Sequence, residues 1–390
     1  MLALLCSAVA FLFTVWIILP APHYRLFEVA VAASEWSLWF GLLALAGVCL
    51  TLPTLFAKGG TAVAWLAVVC GVAAIALSLV PPLSALRVAR ENDLDLSLRQ
   101  YFSGVNAAKS EGISRQTRTY AAPGGRALDL DVYRSANTVA AKRPAVVVVH
   151  GGSWSAGDKS DYPRWNEWLA GQGFVVFDIQ YRLEQPNWQT ATGDVKCAVG
   201  WIEQHAGEFG VDAGKITLFG RSAGGHLALL AAYTVNNPEL PSSCAASETS
   251  VRAVVSFYGA TDLLWGYEHP ANERVLDGPA KIRNFLGGTP EEAPERFELL
   301  SPVMHVNANS PPTLLFHGGR DQLVRDEHTA RLAQKLQAAG APHRAVLLPY
   351  AQHAFDYNFD GWGSQIARQI MLDFLRRHLK SARESMKNNC

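Results

Sequence analysis

Lys215 to Gly225 reads KITLFGRSAGG. A short apolar run ends on glycine, and Arg, Ser, Ala and two more Gly follow. That composition predicts a buried strand (Lys215 to Phe219) turning sharply into a helix (Gly224 to Thr234). The turn itself, Gly220-Arg221-Ser222-Ala223-Gly224, is G-x-S-x-G. A serine on so sharp a turn needs small neighbours on both sides, and the turn lifts its hydroxyl into the open. The backbone N–H groups beyond it, at a helix N-terminus, can meet negative charge. The pentapeptide alone is a weak pattern; its place between strand and helix makes Ser222 a candidate nucleophile.

Working outward, further strands and helices alternate. Leu128, Leu130 and Val132 alternate with polar residues, as in a half-buried strand. Ala145 to Val149 and Gly173 to Phe177 are continuous apolar runs, as in strands covered on both faces. Ala253 to Phe257, Thr313 to Phe316 and Ala345 to Leu348 read as more short strands. Helical patterns run through Val195, Ala198, Val199 and Ile202, through Glu327 to Ala339, and through Ser364 to Leu379. Such alternation predicts an α/β fold, a mostly parallel sheet flanked by helices, with its ligand site beyond the carboxyl ends of the strands.

A serine hydroxyl needs a base, and the chain has 11 histidines. His353, in LPYAQHAFD, stands just after the last strand, at the correct edge. His317 follows a strand directly, beside glycines, where a turn role fits better. His343 precedes the last strand and belongs at the opposite end. His226 lies inside the helix after Ser222 and fits packing. The base in turn needs a carboxylate to fix its tautomer. Asp321, in HGGRDQLV, follows a strand and leaves room for one helix and one strand before His353. Asp262, in YGATD, is its rival and fits a helix cap better. Asp178 precedes the serine and Asp356 follows the histidine. The order Ser222, Asp321, His353 is the one expected of a sheet built this way.

HGGSW (His150 to Trp154), GRSAGG, HGGRD and AQHAF, in that order, resemble the α/β-hydrolase superfamily, and most closely its hormone-sensitive-lipase-type and feruloyl-esterase-like carboxylesterases. FDIQYRL (Phe177 to Leu183) and LLSPVMHV (Leu299 to Val306) share the likeness, which spans Ala121 to Leu379. The resemblance implies an α/β-hydrolase fold, with Ser222 as nucleophile, His353 as general base and acid, and Asp321 as orienting carboxylate. It implies an oxyanion hole from the Ala223 N–H and amides of Gly151, Gly152 or Ser153, with His150 bracing that turn and Trp154 packed beside it. The chain departs from the lipase-type pattern twice. Ser153 stands where a third glycine is usual, which points to a tighter site. Arg221 stands before the nucleophile where Asp is common, and suits a local salt bridge or an anionic substrate. Between Tyr258 and Pro302, Trp265, Tyr267, Phe285 and Phe297 suit either an acyl-pocket lid or ordinary core. The Trp-bearing stretch from Tyr162 to Trp168, and Trp188, carry the same ambiguity.

The N-terminal third differs in kind. Met1 to Pro20, Trp36 to Ala57 and Thr61 to Leu86 carry no charged side chain. Each approaches the length of a bilayer-spanning helix, and the first lacks the basic n-region of a signal peptide. We expect about three transmembrane helices (about 2–20, 36–57 and 61–82) within residues 1–86; two or four, or a buried hairpin, are the alternatives. A juxtamembrane linker or short helix over 87–120, a catalytic domain over 121–380 and a tail over 381–390 complete the expected plan. This is the layout of a multi-pass integral membrane protein, as of a bacterial inner membrane. The basic residues lean the catalytic domain toward the cytoplasm. Cys6, Cys49 and Cys70 fall in the apolar segments, Cys197 reads as a core residue, and no disulfide framework or metal-ligand spacing is evident.

Net charge is zero and no basic run exists, so nucleic acid is not an expected partner. The expected function is a membrane-anchored serine ester hydrolase acting on a small-molecule or lipid ester, with no cofactor, metal or protein partner. The alternatives are a peptidase or acyltransferase with the same residues, or a tethered binding protein without turnover.

Overall fold

The computed structural model describes residues 1–58, 60–104, 112–136, 142–246 and 249–379. The strands are Ile113–Ala121 (β1), Leu128–Ser135 (β2), Arg143–Val149 (β3), Val175–Ile179 (β4), Val211–Arg221 (β5), Ala253–Phe257 (β6), Thr313–Gly318 (β7) and His343–Leu348 (β8). They form one sheet in the order β1-β2-β4-β3-β5-β6-β7-β8. β1 and β2 pair antiparallel, as do β2 and β4; the other ladders are parallel.

Period-two geometry explains the layers. Ala145, Val147 and Val149 point into one core, while Val146 and Val148 point into the other. Helices Trp188–Gln204 and Ala223–Tyr233 cover the first face; Pro163–Gly171 and Trp362–His378 cover the second. The chain leaves β3 toward β4 and leaves β5 toward β6. The crevice between β3 and β5 is therefore the switch point where ligands gather in such sheets.

Three parts of the expected plan are placed by the structure. The first is the set of apolar segments. The N-terminal helices are Leu2–Thr14 (α1), Tyr24–Glu35 (α2), Ser37–Lys58 (α3), Ala62–Ser78 (α4), Val80–Glu91 (α5) and Leu98–Ser103 (α6). Two stretches, Ser37–Phe56 and Ala62–Glu91, are helical, long and apolar enough to cross a membrane, whereas Leu2–Ile17 is shorter.

Second, the expected linker is built into the fold. Tyr101 in α6 is buried and stacks on Trp362 at 4.5 Å, Ser97 and Gln365 exchange hydrogen bonds, and β1 joins the sheet from Ile113. Residues 105–111 of that linker and the expected tail 381–390 lie outside the described residues. Third, Cys197 is not a lone core thiol. It forms a disulfide with Cys244, 47 residues on.

Candidate active site

Ser222 sits where β5 breaks into the following helix, with φ 53 and ψ −122. For a residue with a Cβ this is strained backbone, held in place by its surroundings. The surroundings are close. A Cβ on Gly220 would overlap the Gly224 carbonyl, and one on Gly224 would overlap the Val149 carbonyl. The small residues flanking the serine are thus a packing requirement of the turn.

The HGGSW segment leaves β3 next to this turn. Gly152, Ser153 and Trp154 have φ of 114, 52 and 58, so the chain folds back and the Ser155 and Ala156 N–H groups both donate to the Gly152 carbonyl. His150 Nδ1 donates to the Gly151 carbonyl at 2.7 Å, and its ring stacks on Tyr181 at 4.3 Å. Burial lowers the His150 pKa, which suits a neutral bracing imidazole. The indole of Trp154 stacks on Phe285 at 4.6 Å and donates to His226 Nδ1 at 3.1 Å; His226 Nε2 donates to the Leu300 carbonyl at 2.7 Å. His226 is therefore a buried relay, its pKa lowered to about 4 by burial, in keeping with the packing role expected of it.

At the ends of β7 and β8, His353 Nδ1 and Asp321 Oδ2 are 2.6 Å apart. The other Asp321 oxygen accepts the Leu323 and Val324 N–H groups at 2.8 and 2.9 Å. Burial alone would raise the Asp321 pKa; His353 and His317 more than offset it and hold the carboxyl well below the usual range. His317 is closer to the site than expected. Its Nε2 lies 3.2 Å from Asp321 Oδ2 and 2.9 Å from the Val324 carbonyl, while Nδ1 meets the Thr329 hydroxyl at 2.8 Å. It braces the carboxylate rather than merely filling a turn.

Ser222 and His353 flank one peptide of the strand between them. Ser222 N–H donates to the Phe257 carbonyl at 2.9 Å, and the ring of the next residue, Tyr258, lies 4.3 Å from the His353 ring. Arg221 turns the other way. It is buried, pairs with Asp356 at 2.5 Å, and lies 4.1 Å from the Tyr162 ring. Tyr258 OH donates to the same carboxylate. The salt-bridge reading of Arg221 holds, and its partner stands three residues after His353.

Ser222, Ala223, Ser153 and Trp154 line a cavity of about 60 Å³ whose far wall is the 258–302 insert, through Gly266, His269, Lys281 and Ile282. Phe285 and Phe297 are fully buried core residues instead. Asp262 caps the helix Leu263–Glu268 and pairs with Arg331 at 2.7 Å, Asp178 lies buried on Asn166, and His343 sits at the amino end of β8. His328, which no sequence signal singled out, also lines the cavity. Its Nδ1 accepts the Thr261 and Asp262 N–H groups at 3.2 and 3.3 Å, and burial lowers its pKa to about 3.

Comparison with known proteins agrees with this architecture. The chain is 35% identical over 236 residues to the esterase LipC of Mycobacterium tuberculosis, covering 58% of this chain and 57% of LipC. It is 32% identical over 278 residues to LipM, a probable carboxylic ester hydrolase of the same organism, covering 65% and 62%. The chain thus spans about three fifths of the length of these relatives. Among solved structures, the thermophilic esterase Est2 of Thermogutta terrifontis superposes with a TM-score of 0.57 at 28% identity, covering 68% of this chain and 92% of that one. Residues 130–336, more than half of the chain, match the BD-FAE family model, and the chain belongs to the BD-FAE family of α/β-hydrolase esterases.

Proposed function

We propose that this protein is a membrane-anchored serine carboxylic-ester hydrolase. The observation that carries the reading is the His353–Asp321 hydrogen bond at the same sheet edge as a serine held in a strained turn. Ser222 Oγ attacks the ester carbonyl while His353 takes its proton. The tetrahedral oxyanion is met by the Ala223 N–H and by amides of the Gly151–Ser153 turn. The intermediate collapses, the C–O bond breaks, and the alcohol leaves with the proton from His353. Water then attacks the acyl-enzyme, gives its proton to His353, and frees the carboxylic acid as Ser222 recovers its own. Est2 has been solved phosphonylated by sarin, which makes a fluorophosphonate a suitable probe here.

The test is an ester panel of graded acyl length, with fluorophosphonate labelling, on wild type and Ser222→Ala. The variant should lose both labelling and activity, the latter by about 10⁴-fold or more. Full activity in Ser222→Ala would sink the assignment.

The anchor is read as α1, α3 and α4 crossing the bilayer together. Large side chains such as Leu5, Leu12, Leu45, Leu66 and Val69 face outward, and Ala10, Ala44 and Ala74 meet inside, the pattern of packed membrane helices. The Cys197–Cys244 disulfide favours an oxidising compartment for the catalytic domain, against the cytoplasmic lean of the basic residues. Reporter fusions at the C-terminus, with thiol alkylation before and after reduction, test this. Activity of a cytoplasmic reporter, with both thiols free in cells, would overturn it.

A further inference from the structure

The connector between α1 and α2 reaches the candidate active site. The Ala21 N–H donates to Gln322 Oε1 at 2.6 Å. Gln322 Nε2 donates to Gln352 Oε1 at 3.2 Å. Asn272, from the insert that walls the cavity, donates to the Ala21 carbonyl at 2.7 Å and to Gln322 Oε1 at 3.1 Å. The Arg320 guanidinium reaches the Ile18 carbonyl. Ala21, Gln322 and Gln352 are all buried, and Ala21, Phe27 and Val275 form a small apolar cluster against which Leu323 packs.

The positions matter more than the number of contacts. Gln322 follows Asp321 directly and Gln352 precedes His353 directly. The two loops leave different strands, so their spacing is set by whatever bridges them. Here the bridges are the His353–Asp321 bond, a main-chain bond from the Arg320 N–H to the Ala351 carbonyl at 3.0 Å, and a pair of side-chain amides whose orientation is dictated from outside the sheet domain. A backbone N–H can only donate, so Ala21 turns the Gln322 oxygen toward itself and leaves the Gln322 NH₂ for Gln352. Both polar groups of the Ala21 peptide are thereby used on the active-site edge. A connector that served only as a tether would need no such match.

We infer that the Ile18–Ala21 connector is a positioning element of the catalytic centre, acting through Gln322 and Gln352 on the separation of Asp321 and His353. The inference rests on the esterase reading for its effect on rate, but not for its effect on the loops. Ala21→Pro deletes the donor at a position that already precedes a proline and is biased to extended backbone. Gln322→Met keeps the volume and deletes all three hydrogen bonds of the side-chain amide.

The experiment uses the full chain in lipid nanodiscs. With a soluble short-chain ester, each variant should lose about 10-fold in kcat while KM stays within about 2-fold, because misplacement of reacting groups costs rate rather than binding. The double variant should lose no more than the worse single one, because both changes cut the same chain. Multiplying losses, or an unchanged kcat, would overturn the proposal. Hydrogen exchange supplies the readout that needs no turnover. In Ala21→Pro, exchange should quicken in the segments around Asp321 to Val324 and Ala351 to His353, with β3 and β5 unchanged as evidence of folding. Unaltered exchange in both loops would equally overturn the proposal. A wild type that neither labels with fluorophosphonate nor hydrolyses esters would defeat the esterase reading alone, leaving the exchange result to decide the connector's role.

Discussion

In the sheet domain Phe177, Phe219, Phe257 and Phe285 are fully buried; in α1, α3 and α4 the buried positions are small residues, among them Ser7, Ala10, Thr14, Ala44, Ala74 and Ser78. The bundle's large side chains point the other way: Leu5, Leu42, Leu45, Leu66 and Val69 are all exposed. In water, burying a large apolar side chain is the main source of stability. Between helices in lipid that gain disappears, and close approach through small residues takes its place. Three of the buried hydroxyls fit the second regime. Thr14 donates to the Ala10 carbonyl at 2.9 Å, Thr51 to Gly47 at 2.8 Å and Ser78 to Ile75 at 2.8 Å. Each satisfies itself within its own helix, leaving the face free to pack.

Charge is where the two regions differ most. The apolar N-terminal segments carry none, whereas the sheet domain buries Arg221 and Asp356 as a pair. Removing one partner of a buried pair leaves the other uncompensated, so Arg221→Met should cost about 3–5 kcal/mol. Asp356→Leu added to it should restore part of that loss, since the stranded carboxylate is gone. Thermal denaturation of the three variants checks this. A drop of about 1 kcal/mol or less in Arg221→Met would mean that the pair is not the structural link between the serine turn and the His353 loop.

Protons offer the next contrast. His226 and His328 are neutral in the fold and protonate only near pH 4 and 3, against an ordinary 6.5, because both are buried. The unfolded chain therefore binds more protons as pH falls from about 6.5 toward 4, and stability falls with it, on the order of 1 kcal/mol per pH unit for each histidine. The apolar helices α1, α3 and α4 contain no histidine. Far-UV circular dichroism should show the sheet domain losing its thermal midpoint on acidification while helical signal from the bundle persists. A midpoint that is flat from neutral pH to about 4.5 would contradict the burial of these imidazoles.

Much of the site could be read from local sequence, because its geometry is local. Gly220 and Gly224 flank Ser222 because backbone crowds them, and the apolar runs before Ser222 and Asp321 are buried strand segments, whereas β8, before His353, is partly exposed. The features that escaped reading depend on approach between distant segments. Arg221 and Asp356 are 135 residues apart, and the choice between a salt bridge and an anion site is made only by the fold. Cys197 occupies the apolar face of its helix, indistinguishable from a core residue until Cys244 is placed against it. β1 is mostly exposed and reads ISRQTRTYA, so it has no apolar alternation to betray an edge strand. His328 lies in an ordinary amphipathic helix, and only the packing of the insert brings it to the cavity. The Ala21–Gln322–Gln352 chain crosses 301 residues at its first step and uses amides that sequence patterns treat as neutral surface.

The smallest effects test the inside-out packing itself. Leu66 is about half exposed on α4, and Ala74, on the same helix, is fully buried against Ala10 and Ala44. If lipid covers α4, Leu66→Ala exchanges one apolar contact for another and should change stability by about 0.5 kcal/mol or less. Ala74→Leu inserts bulk where helices nearly touch and should cost about 1–3 kcal/mol. A water-soluble helical hairpin predicts the reverse emphasis: Leu66→Ala would improve solubility, and the bundle would remain folded without detergent. Measuring both variants in nanodiscs and after detergent removal separates the two cases. A wild-type chain that stays monodisperse in plain buffer would place the apolar surface against protein rather than lipid, and the contrast between the two regions would have to be redrawn as one between two water-facing folds.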